Sequence, residues 1–172
     1  MRIGTTLLAG SIVLLVAGPA GAGGSSAYSP EDIVKFFANQ DASRGICVGT
    51  DEECGPTDKK PAGFNLRLNF AKDSAMLSDE ARANLDSFAA ALNSPSLSVA
   101  SFAIEGHTDA SGTDQHNMDL SQRRADSVVT YLAGLGVDPT KLKPVGLGET
   151  APATADAYDA ENRRVETRLI LE

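Results

Sequence analysis

Between residues 98 and 135 the chain passes from an extended apolar segment, through a polar loop, into a long amphipathic helix. That helix constrains the fold most. Advancing about 100° per residue from Leu120, Tyr131, Leu135, Val128, Leu132, Ala125 and Val129 fall between about 20° and 180°. Gln122, Arg123, Asp126, Ser127 and Thr130 fall between about 200° and 340°. A stripe of this width needs another layer to cover it. The same geometry separates two adjacent arginines: Arg123, near about 300°, lies on the wet face, and Arg124, near about 40°, lies inside the apolar stripe. An unpaired buried guanidinium is costly. Arg124 therefore snorkels, pairs with a carboxylate of the fold, or receives one from a ligand.

Asp109 follows the extended segment, in the loop Gly106-His107-Thr108-Asp109. An Asp here can cap a turn by accepting backbone N–H bonds, or can pair internally with Arg124. Taken with Arg124, it also makes a two-point clamp. A carboxylate takes an ammonium, and a guanidinium takes a carboxylate through its fork. The matching ligand is an amino acid head group. A different chemistry is open to Glu105, His107 and Asp109, which alternate and could present a metal site on one face of a strand, with His116 as a further ligand. That would make a metal-dependent hydrolase. Ser111 and Ser121 lack the Gly-x-Ser-x-Gly elbow of a nucleophile.

The rest of the chain supplies layers. Ser29, Pro30, Glu31 and Asp32 predict a helix start, with Ile33, Phe36 and Phe37 on one face of a helix to about Asn39. Phe64, Leu66, Leu68 and Phe70 alternate with Asn65, Arg67 and Asn69, the period of a half-buried strand. Ser78 opens a second helix, with Ala81, Leu85, Phe88, Ala89 and Leu92 on one stripe and an end at Asn93-Ser94-Pro95. In the strand over residues 97–106, Leu97 and Val99 are in one phase and Phe102 and Ile104 in the other, which a bulge near Ala100 or two-sided burial would explain. Gly136 and Pro139 break the long helix. Residues 142–148 predict a short strand in which Pro144 belongs at an edge, and residues 162–172 a last strand with Val165, Thr167, Leu169 and Leu171 on one face. The order strand, helix, strand, helix, short strand, strand gives an α/β (α+β) two-layer sandwich, with helices packed on one face of a mixed sheet.

The chain has 172 residues and a formal charge of −8. This balance argues against sequence-independent nucleic-acid binding, which needs a basic face, and against adsorption to anionic lipid. Residues 1–22 are expected to be a signal peptide: Arg2, an apolar run from Leu7 to Ala17, and small residues up to Ala22. Residues 23–63 form an N-terminal extension. Export makes a Cys47–Cys54 disulfide the first reading of its two cysteines.

Four ordered motifs carry a resemblance: Gly106-His107-Thr108-Asp109; Asn117-x-x-Leu120-Ser121-x-x-Arg124-Ala125; Gly146-x-Gly148-Glu149-x-x-Pro152; and Asn162-Arg163-Arg164-Val165-Glu166. Residues 64–172 resemble the OmpA-like C-terminal domain, found also in MotB. The resemblance implies a βαβαββ domain without catalytic activity or cofactor. It implies non-covalent binding of peptidoglycan through the meso-diaminopimelate of its stem peptide, in the periplasm or at the outer membrane of a diderm cell, with outer-membrane or envelope proteins as further partners. It assigns the ammonium to Asp109 and the carboxylate to Arg124. It places Thr108, Asn117 and Leu120 along the pocket and adds Arg164. His116 stands where the family often has Tyr, and the loop before Asn162 has fewer glycines than usual.

Overall fold

In a computed structural model, residues 27–42, 62–66 and 68–170 are described. The expected signal peptide and both cysteines, Cys47 and Cys54, lie outside these residues. The described elements are α1 (Pro30–Ala42), β1 (Phe64–Asn65), α2 (Asp79–Leu92), β2 (Ser101–Gly106), α3 (Asp114–Gly134), β3 (Leu142–Gly146) and β4 (Val165–Ile170). Short 3-10 turns precede β3 and β4, over Pro139–Lys141 and Ala160–Asn162.

The sheet has the order β1-β4-β2-β3. β4 is antiparallel to both β1 and β2, and β2 is parallel to β3. Parallel neighbours need a crossover, and α3 supplies it between β2 and β3. Pro144 falls on β3, an edge, where its missing N–H does least harm. The helices and one sheet face enclose a core of Leu85, Phe88, Phe102, Ile104, Val128, Leu132 and Val165, all fully buried. Each such side chain contributes about 1.5–3 kcal/mol by leaving water. The chain is thus the two-layer α/β sandwich its periodicities imply.

Three local differences have physical causes. β1 is shorter than the strand expected over residues 64–70. Leu66, Leu68 and Phe70 do point inward, but the Leu66 carbonyl accepts from Asn84 Nδ2 at 3.1 Å instead of from a strand partner. Among the described residues, the next backbone link to the β4 side is Phe70 N donating to Arg163 O at 3.2 Å. In β2, the phase break is a turn before the strand, and there is no bulge. Leu97 N bonds to Ser94 O and Ala100 N to Leu97 O, so Leu97 is buried while Val99 is exposed. Finally, α1 joins the main core. Phe37 is buried, and its ring meets those of Phe64, Phe88 and Phe102 at 5.0–6.4 Å.

Two glycines set the position of α3 over the strand ends. A Cβ on Gly106 would lie 2.1 Å from Ser121 O, and one on Gly146 would lie 2.7 Å from Gln122 N. With no side chain at either place, helix and sheet backbones approach closely. Side-chain clamps secure the contact: Gly146 N donates to Gln122 Oε1 at 2.9 Å and Gly148 N to Ser121 Oγ at 2.8 Å. The first turns of α3 therefore sit directly over the loop that leaves β2.

Candidate functional site: a cavity at the end of β2

That loop runs from His107 to Thr113, where Thr113 caps α3 by accepting from His116 N at 3.3 Å. Together with α3, the turn after Phe70 and Arg163, it encloses a cavity of about 180 Å³. Thr108, Asp109, Asn117, Leu120 and Arg124 all line it, with Lys72, Asp73, His116 and Arg163.

Arg124 is fully buried, with 0% of its surface exposed. Its solution to burial is neither snorkelling nor an ion pair. Nε donates to Ser74 O at 2.9 Å, Nη1 to His107 O at 2.7 Å and Nη2 to Ala71 O at 3.3 Å. The guanidinium lies 5.0 Å from the centre of the Phe70 ring, a cation–π contact. Burial lowers its pKa to about 10, with Arg163 adding repulsion and Asp109 opposing it. It remains a cation at neutral pH. A guanidinium has five N–H donors. Three of these go to carbonyls, which leaves one donor on each terminal nitrogen.

Asp109 does not pair with Arg124. Its Oδ2 accepts from Arg163 Nη1 at 2.9 Å, and its Oδ1 accepts from Ser111 N at 3.0 Å. Burial pushes the Asp109 carboxyl up, but the bonds from Arg163 and Ser111 outweigh it and hold the group below its usual range. Asp109 is thus both a turn cap and an anion facing the cavity.

Asn117 is buried and donates through Nδ2 to Glu149 Oε2. Thr108 is held by its N–H on Gly148 O at 2.9 Å, and its buried hydroxyl has no partner. Arg164 sits elsewhere: it bonds Glu166 Oε1 at 2.8 Å and Ala151 O at 3.1 Å, on the other side of the sheet end. Its neighbour Arg163 is the residue of the pair that lines the cavity. The signal for this in the sequence was slight, because adjacent residues leaving a loop point opposite ways and the 3-10 turn sets the phase. His116, in place of the usual Tyr, bridges the cavity mouth from α3 to Asp73 Oδ1 at 3.0 Å.

The metal arrangement expected from alternation does not converge on Asp109. The residues that come together are Glu105, His107 and Glu166, with ligand atoms within 4.8 Å of one another. Glu105 and Glu166 face each other across β2 and β4, and Arg168 and Arg164 already engage them. His107 is buried among them with neither ring nitrogen hydrogen-bonded. Burial, then the Arg164 charge, lowers its pKa to about 4. The charges of this cluster balance without an ion.

A second cavity of about 210 Å³ opens at the other end of β2, lined by Leu92, Leu97, Phe102, Val137 and Leu142. Its two ionisable residues are Asp138 and Lys141, and Lys141 Nζ is bound to Ser98 O. It lacks the buried cation and anion that mark the Asp109 cavity, so the Asp109 cavity is the better candidate for a charged ligand.

Several known proteins are similar to this chain. The peptidoglycan-associated lipoprotein of Haemophilus influenzae is 47% identical over 83 residues, covering 46% of this chain and 53% of that protein. Outer membrane protein A of Bordetella avium is 34% identical over 110 residues, covering 62% of this chain and 56% of that protein. The chain thus spans about half the length of these relatives. The crystal structure of the peptidoglycan-associated lipoprotein from Burkholderia pseudomallei superposes with a TM-score of 0.55 at 32% identity, covering 60% of this chain and 88% of that one. The model of the OmpA family matches residues 69–166, which include every residue that lines the cavity, and the chain belongs to the OmpA family.

Proposed function

We propose that this chain is a non-catalytic module that binds peptidoglycan through the meso-diaminopimelate of its stem peptide and so anchors the envelope to the wall. One observation carries the reading: the Asp109 carboxylate and the buried Arg124 cation line the same small cavity. The free end of diaminopimelate bears an ammonium and a carboxylate on one carbon. The ammonium takes Asp109 Oδ2 in exchange for, or beside, Arg163. The carboxylate takes the remaining N–H groups of Arg124, and Arg163 balances its charge. Thr108 and Asn117 add polar contacts, and Leu120 packs against the ligand's methylene chain. Relatives named as peptidoglycan-associated and outer-membrane proteins support a site of action in the periplasm, at the outer membrane.

A single site of this kind is weak, since each charge-assisted bond is worth about 1.5–3 kcal/mol net. A wall polymer repeats the ligand and raises its effective concentration. Co-sedimentation with purified peptidoglycan tests the reading. The full chain is expected in the pellet and to be released by free meso-diaminopimelate, while Asp109→Asn stays in the supernatant. Equal retention of wild type and Asp109→Asn would contradict it.

A further inference from the structure

We infer that the rim beside the Asp109 cavity, centred on Tyr158, is a stacking surface for the uncharged saccharide strand of the polymer whose peptide enters the cavity. This rests on the peptidoglycan reading above and adds a second contact to it.

Tyr158 is 67% exposed, and it is the one aromatic among the described residues left so open to water. Its loop is pinned. Tyr158 N donates to Asp156 Oδ1 at 2.9 Å, Asp159 N to Asp156 O at 3.1 Å and Asn162 Nδ2 to Asp156 O at 2.8 Å. The adjacent Ala157 O accepts from Ala110 N at 2.9 Å, which ties this loop to the residue after Asp109. An aromatic on a pinned backbone beside the cavity loop has only two side-chain torsions to order on contact. Met118, also exposed, follows the cavity residue Asn117 and adds apolar surface on the α3 side.

The charge of the loop selects the occupant. Residues 149–161 contain Glu149, Asp156, Asp159 and Glu161 and no Lys or Arg. Phosphate polymers, nucleic acids and acidic lipid are repelled by such a segment. A neutral sugar is not: its C–H face packs on the tyrosine ring, and its hydroxyls find carboxylate acceptors.

The test compares two probes on the full chain: intact peptidoglycan, and a soluble stem peptide that carries meso-diaminopimelate but no sugar. Tyr158→Ala is expected to weaken binding to intact peptidoglycan by about threefold to tenfold, and Tyr158→Trp to restore it. Affinity for the soluble peptide stays unchanged in both variants. The inference is overturned if Tyr158→Ala holds intact peptidoglycan as tightly as wild type. It is equally overturned if the variant loses the same factor for the soluble peptide, because the residue then acts on the cavity. A wild-type chain that binds neither probe refutes the peptidoglycan reading itself, and the stacking surface with it.

Discussion

Arg124 shows how one residue can be legible in its need and illegible in its solution. Its angle on α3 announced a buried cation. The acceptors that meet it are backbone carbonyls of Ala71, Ser74 and His107, and carbonyls carry no sequence signature. Lys at this position cannot lie flat on Phe70 or reach three divergent acceptors. Arg124→Lys is therefore expected to lose about 3 kcal/mol of stability, read from urea unfolding. His107 gives a second prediction at this scale. Its folded pKa, about 4, lies below the ordinary 6.5. Between those values the unfolded chain binds a proton that the folded chain excludes. Stability therefore falls as pH drops from about 6.5 to about 4, by an amount on the order of 2–3 kcal/mol. His107→Gln should flatten that limb of the curve in urea midpoints measured across pH. An unchanged slope would mean that His107 does not carry it.

Among the elements, existence and order were readable, and boundaries and long-range docking were not. The 2 and 3.6 periods placed α2, α3, β2 and β4, because each is half-buried and its pattern is local. β1 was overestimated because alternation persists where Leu66 O has left the ladder for Asn84. The place of α1 in the core was hidden because Phe37 packs on Phe88 and Phe102, far along the chain. Phe37→Ala is expected to cost about 3–5 kcal/mol, like any core Phe. A loss under about 1 kcal/mol, the scale of a surface change, would show α1 to be loosely attached. At the α3–β2 contact, Gly106→Ala sets a methyl 2.1 Å from a backbone oxygen. It should abolish cooperative unfolding or cost several kcal/mol, as judged by near-UV circular dichroism and urea titration.

For the whole molecule, the sign of the charge is misleading about the site. The chain carries −8 overall, yet the cavity gathers Lys72, Arg124 and Arg163 against Asp73 and Asp109. A lining that holds both signs suits a ligand bearing a carboxylate and an ammonium. Such placement could not be read from composition. The pairing of Asp109 with Arg163 was equally hidden, since the two are brought together only when β4 inserts between β1 and β2. The most direct measurement is calorimetric titration of the full chain with a soluble stem peptide that carries meso-diaminopimelate and, separately, with the same peptide carrying lysine in its place. With its α-groups held in peptide bonds, lysine offers an ammonium but no carboxylate on the same carbon. The expected result is one saturable site for the meso-diaminopimelate peptide, lost in Asp109→Asn, with the lysine peptide at least about tenfold weaker, the cost of one missing charge-assisted contact. Equal affinity for the two peptides, or binding that survives Asp109→Asn, would contradict the two-point clamp.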